Sequence, residues 1–179
     1  MGIINRIIQY FYTRSLPARA VRSKGAAVRN IDEAKQVGIL FDATEIDDRQ
    51  TVLRYAEKLR KQGKNVALLG YVPVVDKEAT FSFDFFTKKD IDWAGRPKGA
   101  SIQHWLTHEF DAFICLFTTN TPFAEFIALH TPANLKIGTV PRHPDCFDLM
   151  VDIKPSAKPQ QLIQQYEAVL AKTVPQAVA

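Results

Sequence analysis

The chain is poor in the features that mark most recognisable functional classes. Its 179 residues include only two cysteines, Cys115 and Cys146. That is too few for the disulfide framework of a small secreted domain, and both sit in or beside apolar runs, where a reduced, buried thiol is the usual state. No apolar stretch approaches the roughly 18 to 20 residues needed to span a bilayer. The N-terminus lacks the order of a secretion signal, in which a charged segment precedes an apolar run and small cleavage-site residues. A cytoplasmic location is expected. Neither G-x-G-x-x-G nor G-x-x-x-x-G-K-S/T follows any predicted strand, which disfavours dinucleotide and P-loop nucleotide sites. G-x-S-x-G is absent, and neither cysteine has a base near it in sequence, so no nucleophile stands out and no catalytic residue is assigned.

Negative charge is scarce in one place. Residues 1–35 hold seven basic side chains (Arg6, Arg14, Arg19, Arg22, Lys24, Arg29 and Lys35) against Asp32 and Glu33, while the remainder holds 16 basic and 17 acidic residues. All of the formal net charge of +4 therefore lies in the first segment. An asymmetry of this kind points to a polyanionic partner such as nucleic acid or an anionic membrane. Hydrophobic residues make up 46% and charged residues 23% of the chain, an ordinary globular balance, so most of it is expected to fold.

Ile3, Ile4, Ile7, Ile8 and Phe11 follow helical spacing, with Asn5, Arg6, Gln9 and Thr13 largely opposite, which predicts a short amphipathic helix. A basic connector follows from Ala18 to Asn30. Val37 to Phe41 is a compact apolar run that suits a buried strand. Asp47 and Asp48, then Val52, Leu53, Ala56 and Leu59, then Lys61 and Gly63 mark a helix with acid at its start, base at its end and glycine beyond. Val66 to Tyr71 completes a βαβ unit, which implies parallel strands. Phe81, Phe83, Phe85 and Phe86 lead into a long, turn-rich basic loop. Further helices are expected from Ser101, as cap, through Phe110, from Pro122 to about Leu129, and from about Pro159 to Lys172. Strands are expected at Asp111–Phe117, Leu135–Val140 and Phe147–Ile153. This alternation predicts a three-layer, doubly wound α/β domain with a mostly parallel, Rossmann- or flavodoxin-like sheet over 36–173. A basic helical arm (1–35) precedes it and a short tail (174–179) follows.

Three segments carry a family resemblance: Gly38-Ile39-Leu40-Phe41-Asp42-Ala43-Thr44, then Phe83-Asp84-Phe85-Phe86-Thr87-Lys88-Lys89-Asp90-Ile91-Asp92-Trp93, then Phe147-Asp148-Leu149-Met150-Val151-Asp152-Ile153. Together they resemble an uncharacterised domain-of-unknown-function family of Bacteroidota bacteria over nearly the whole chain. That resemblance implies an intracellular protein and brings no activity with it. Glu109 to Leu116, with Ala128 and Lys136-Ile137-Gly138, is similar to one βαβ unit in the N-terminal half of heptosyltransferase-type glycosyltransferases, which supports the fold alone.

Asp42 ends the first strand, where doubly wound folds place ligand contacts, with Thr44 beside it and Asp84 as a further candidate. A dehalogenase-type phosphotransferase would want a second aspartate at position 44, which is threonine. Two readings stand for Asp42: a cap for the following turn, or a contact for a nucleotide or sugar nucleotide. His104 and His108 share a helix face at the spacing zinc sites use, without the glutamate of a metalloprotease or an obvious third ligand, and no metal or cofactor is assigned. His130 and His143 are isolated. Lys88, Lys89, Arg96 and Lys98 surround Trp93, a combination able to pair with phosphates and stack on a base. With Arg6, Arg14, Arg19, Arg22, Lys24 and Arg29 they form the candidate nucleic-acid contacts. The leading expectation is a non-enzymatic accessory protein bound to RNA or a ribonucleoprotein, the ribosome included. Its competitors are an enzyme with a site near Asp42 and an adaptor whose first helix meets an anionic membrane or a protein partner.

Overall fold

The computed structural model describes residues 3–25, 30–75, 79–119 and 121–173. Arg29 and the tail 174–179 lie outside the described residues, as do the side chains of Ile3 and Ile4. In chain order the elements are α1 (Ile3–Arg14), β1 (Gln36–Asp42), α2 (Ile46–Lys61), β2 (Asn65–Tyr71), β3 (Asp84–Phe86), α3 (Ala100–Thr107), β4 (Phe110–Leu116), α4 (Pro122–His130), β5 (Ala133–Thr139), β6 (Leu149–Val151) and α5 (Pro159–Thr173). The six strands form one sheet in the order β3-β2-β1-β4-β5-β6, and every pairing is parallel.

Parallel strands need crossover helices, and helices on both faces bury both faces, so the central strands read as continuous apolar runs. Val37 to Phe41 of β1 and Ala112 to Leu116 of β4 are buried throughout. Val37, Ile39, Phe41, Ala112, Ile114 and Leu116 face α2 and α5, joining Val52, Leu59, Leu162 and Tyr166. Leu40, Leu69, Phe113 and Cys115 face the opposite way, onto Ile102 and Trp105 of α3 and Ile127 and Ala128 of α4. Each fully buried large side chain contributes about 1.5–3 kcal/mol of transfer free energy, so the two clusters rather than local propensity hold the helices in place.

Helix boundaries follow local chemistry. Asp47 and Asp48 lie in the first turn of α2 and Lys58, Arg60 and Lys61 in the last, with Gly63 beyond at φ +82°. The cap of α3 is Gly99 rather than Ser101: at φ +111° it adopts a backbone conformation that glycine tolerates best, and Ser101 lies inside the first turn. That helix ends at Thr107, because Phe110 is already the first residue of β4. Within the aromatic stretch Asp84–Phe86 forms an edge strand, and at the other edge β6 is shorter than its apolar run, leaving Phe147 free to pack over the sheet.

The segment before the sheet lies against the body as a strap. Tyr12 donates its hydroxyl hydrogen bond to the Pro122 carbonyl at the start of α4 (2.6 Å). Leu16 and Ala20 join the cluster under α3 and α4. Val21 N–H donates to the Leu129 carbonyl near the end of α4 (2.8 Å). Arg22 then clasps Asp148 through both guanidinium nitrogens (2.7 and 2.6 Å), and Ser23 Oγ and Lys24 N–H donate to the Glu109 carboxylate (2.9 and 3.0 Å).

Candidate functional sites

The chain leaves β1 toward β2 and leaves β4 toward β5, in opposite directions, so the order of the sheet reverses between these two neighbours. At such a switch point the connections diverge and a crevice opens beyond the carboxyl ends of the strands. A cleft of about 260 Å³ lies there, lined by Asp42, Thr44, Glu45 and Asp48 on one side and by Thr118, Thr119 and Ser156 to Pro159 on the other. Asp42 Oδ1 accepts from the Thr44 N–H (3.0 Å) and from the Thr44 hydroxyl (2.5 Å), so at least one oxygen caps its own turn. Lys158 Nζ reaches Asp48 Oδ2 at 3.2 Å and supplies the positive charge of the cleft. The structure brings Asp42 and Thr44 together but not Asp84, which opens β3 opposite Leu69 and is absent from the lining.

The remaining titratable candidates are engaged locally. The His104 and His108 rings meet edge to face at 4.5 Å, and His108 Nδ1 donates to the His104 carbonyl (3.1 Å). His130 stacks on Phe126 and donates to its carbonyl (2.8 Å), and His143 Nδ1 accepts from the Asp145 N–H (3.4 Å). Among the described residues no group of three or more His, Cys, Asp or Glu side chains is arranged to hold a metal ion. Cys115 and Cys146 are both buried and free. Burial pushes the Cys115 thiol up to about 12 and Cys146 higher still, which keeps both protonated and unreactive.

Two basic segments distant in sequence meet on one surface. The Phe11 ring of α1 packs edge-on against Trp93 of the basic loop (5.4 Å between centroids), and Tyr10 packs against Phe11 (5.5 Å). Trp93 remains 61% and Tyr10 57% exposed, so the rings keep open faces. Arg14 bridges to the Tyr10 hydroxyl (2.9 Å). Arg6, Arg14, Arg19 and Lys24 of the strap and Lys88, Lys89 and Lys98 of the loop are exposed. Two candidate cations are already neutralised: Arg22 by Asp148, and Arg96 by Asp92 (2.7 Å). Neither partner carboxylate stands out in the sequence, although Asp92 lies at helical spacing from Arg96.

Sequence reasoning also misses three buried charges: Lys64 before β2, whose ammonium donates to the Ile31, Asp32 and Ala34 carbonyls, Glu125 in α4 and Lys136 in β5. Glu125 and Lys136 are each the lone charged residue of an apolar element, and that isolation is the signal by which either could be found.

No helix among the described residues is long and apolar enough to cross a membrane. A family of unknown function (DUF6913) matches the chain over residues 5–172. No curated protein matches it.

Proposed function

The chain belongs to this family of unknown function, and since membership brings no activity with it, we propose from the geometry that the protein is a non-enzymatic accessory factor that binds single-stranded RNA, free or within a ribonucleoprotein, across α1 and the Lys88–Lys98 loop. The observation that carries the reading is the Phe11–Trp93 contact, which joins open aromatic faces to cations from both segments. Stacked rings beside a cationic track suit a strand whose bases are unpaired, because every base has a π-face and every linkage a phosphate.

Salt dependence tests this. Each cation withdrawn from a phosphate of a single strand lowers the slope of log affinity against log salt by about 0.7, so replacing Arg6 and Arg14 by Gln should lower it by about 1.4. Trp93→Ala should weaken binding by about 1–3 kcal/mol at any salt concentration. Arg22→Gln should leave the slope unchanged, because that cation is already spent on Asp148. Point substitutions are preferable to deleting residues 1–35, since deletion would strip Leu16 and Ala20 from the core. Slopes unaffected by Arg6 and Arg14 would overturn the reading. Flotation with anionic vesicles in the absence of RNA binding would replace it with membrane attachment.

The switch-point cleft favours a second reading, a nucleotide or sugar nucleotide bound by Asp42, Thr44 and Lys158. A ligand present at 100 times its Kd stabilises the folded state by about 2.7 kcal/mol. The expected result is a ligand-dependent rise in Tm across a panel of such compounds that Asp42→Ala abolishes. A flat panel would remove this reading.

A further inference from the structure

Beneath α1 lies a larger cavity, about 610 Å³, between that helix and the body. Ile8, Tyr12 and Leu16, spaced four residues apart on one face of the strap, form its apolar wall, with Trp93 opposite. Its polar end is unusual. Glu125, in the first turns of α4, lines the cavity and is only 4% exposed. Its carboxylate accepts the backbone N–H of Arg142. Among the described residues it forms no ion pair, and the Arg142 side chain stands exposed nearby without closing on it.

A buried carboxylate without a cation is costly, and the start of a helix offsets only part of that cost. The position retains a charge that an apolar residue of similar size would avoid, and it retains it at the wall of an apolar cavity within the usual size range of small-ligand sites. Tyr12 responds to the same charge: burial first, and Glu125 second, push its hydroxyl up, and it remains a neutral donor to Pro122.

We propose that this cavity binds a small amphipathic amine, its apolar body held between Ile8, Leu16 and Trp93 and its ammonium group against the Glu125 carboxylate. The strap is then a wall of a ligand site as well as a nucleic-acid surface; the two roles use different sides of α1 and share Trp93.

Three probes of similar size test it: 2-phenylethylamine, 2-phenylethanol and phenylacetate, titrated into the protein while the methyl signals of Ile8 and Leu16 and the Trp93 indole are followed by NMR. The amine is expected to bind at least about ten-fold tighter than the alcohol, the difference a charged hydrogen bond makes, and the acid not to bind. Glu125→Gln should raise the amine Kd to that of the alcohol while leaving RNA affinity unchanged. Gln9→Lys adds a competing cation to the cavity rim at an exposed helix position and should give the same loss, so the test stands if the Glu125 variant does not fold. Equal affinity for all three probes, no shifts at millimolar concentration, or amine selectivity that survives both substitutions would overturn the proposal.

Discussion

Between pH 7 and 9.5 the native protein should gain about 3 kcal/mol of stability relative to a Lys136→Met variant. Lys136 is fully buried in β5, where its ammonium group donates to the Ala128 and Leu129 carbonyls at the end of α4 (2.5 and 3.4 Å). Burial dominates its titration and lowers its pKa to about 7, with Arg22 acting in the same direction and Asp148 opposing. In the unfolded chain the same group titrates near 10.4, as an ordinary lysine does. Below pH 7 both states are protonated and the cost of burying the charge is fully present. As pH rises through 7 the folded state releases a proton that the unfolded state still binds, so stability rises until the unfolded lysine titrates in turn. The buried cysteine thiols and tyrosine hydroxyls act in the opposite sense at high pH, because their folded pKa values are raised, but they are common to both proteins. Cys146 alone among them is coupled to Lys136, so the two proteins are compared in a Cys146→Ala background, where the difference between urea unfolding curves at pH 7 and 9.5 isolates Lys136. Parallel pH profiles would show that its ammonium is not desolvated.

The second large effect is steric. Gly138 of β5 lies directly under the Phe147 ring, and a Cβ at that position would stand within 2.6 Å of three ring carbons. Phe147 is itself buried, so the ring has little room to withdraw. Gly138→Ala should destabilise the fold by about 1–3 kcal/mol, the usual cost of overpacking. The double variant Gly138→Ala with Phe147→Leu should recover part of that loss relative to the two single changes added together. Strict additivity in thermal or denaturant unfolding would show that the two positions do not compete for space.

Such a pair explains what the sequence makes legible and what it does not. The βαβ unit from β1 to β2 could be read because its signals are local: an apolar run, acids then bases along α2, and Gly63. The parallel architecture follows from the alternation of such units. The pairing of Gly138 with Phe147 has no local signal, nor has the pairing of Gly70 with Phe83, whose ring would lie 2.5 Å from an added Cβ. For the same reason β3 is not assigned within the aromatic stretch: three residues are too few to show a period, and Asp84–Phe86 is a strand only because β2 offers it an edge. Asp42 and Thr44 could be placed at a strand end from sequence. The aromatic surface could not, since Phe11 and Trp93 are brought together only by the docking of α1 on α4. Glu125 is marked in the sequence only by its isolation in an apolar helix; its setting depends on the cavity that the strap closes over it.

The strap also fixes an order in which the molecule can be completed. Its anchors lie far ahead in the chain: Tyr12 waits for Pro122, Val21 for Leu129, and Arg22 for Asp148, 126 residues later. At synthesis rates of about 5–20 residues per second, Arg22 emerges roughly 6 to 25 s before its partner is made. The strap is thus translated well before the partners it docks on. Until α4 is made the apolar face of Ile8, Tyr12 and Leu16 has no body to cover it, which makes α1 a segment that a nascent-chain chaperone is well placed to hold.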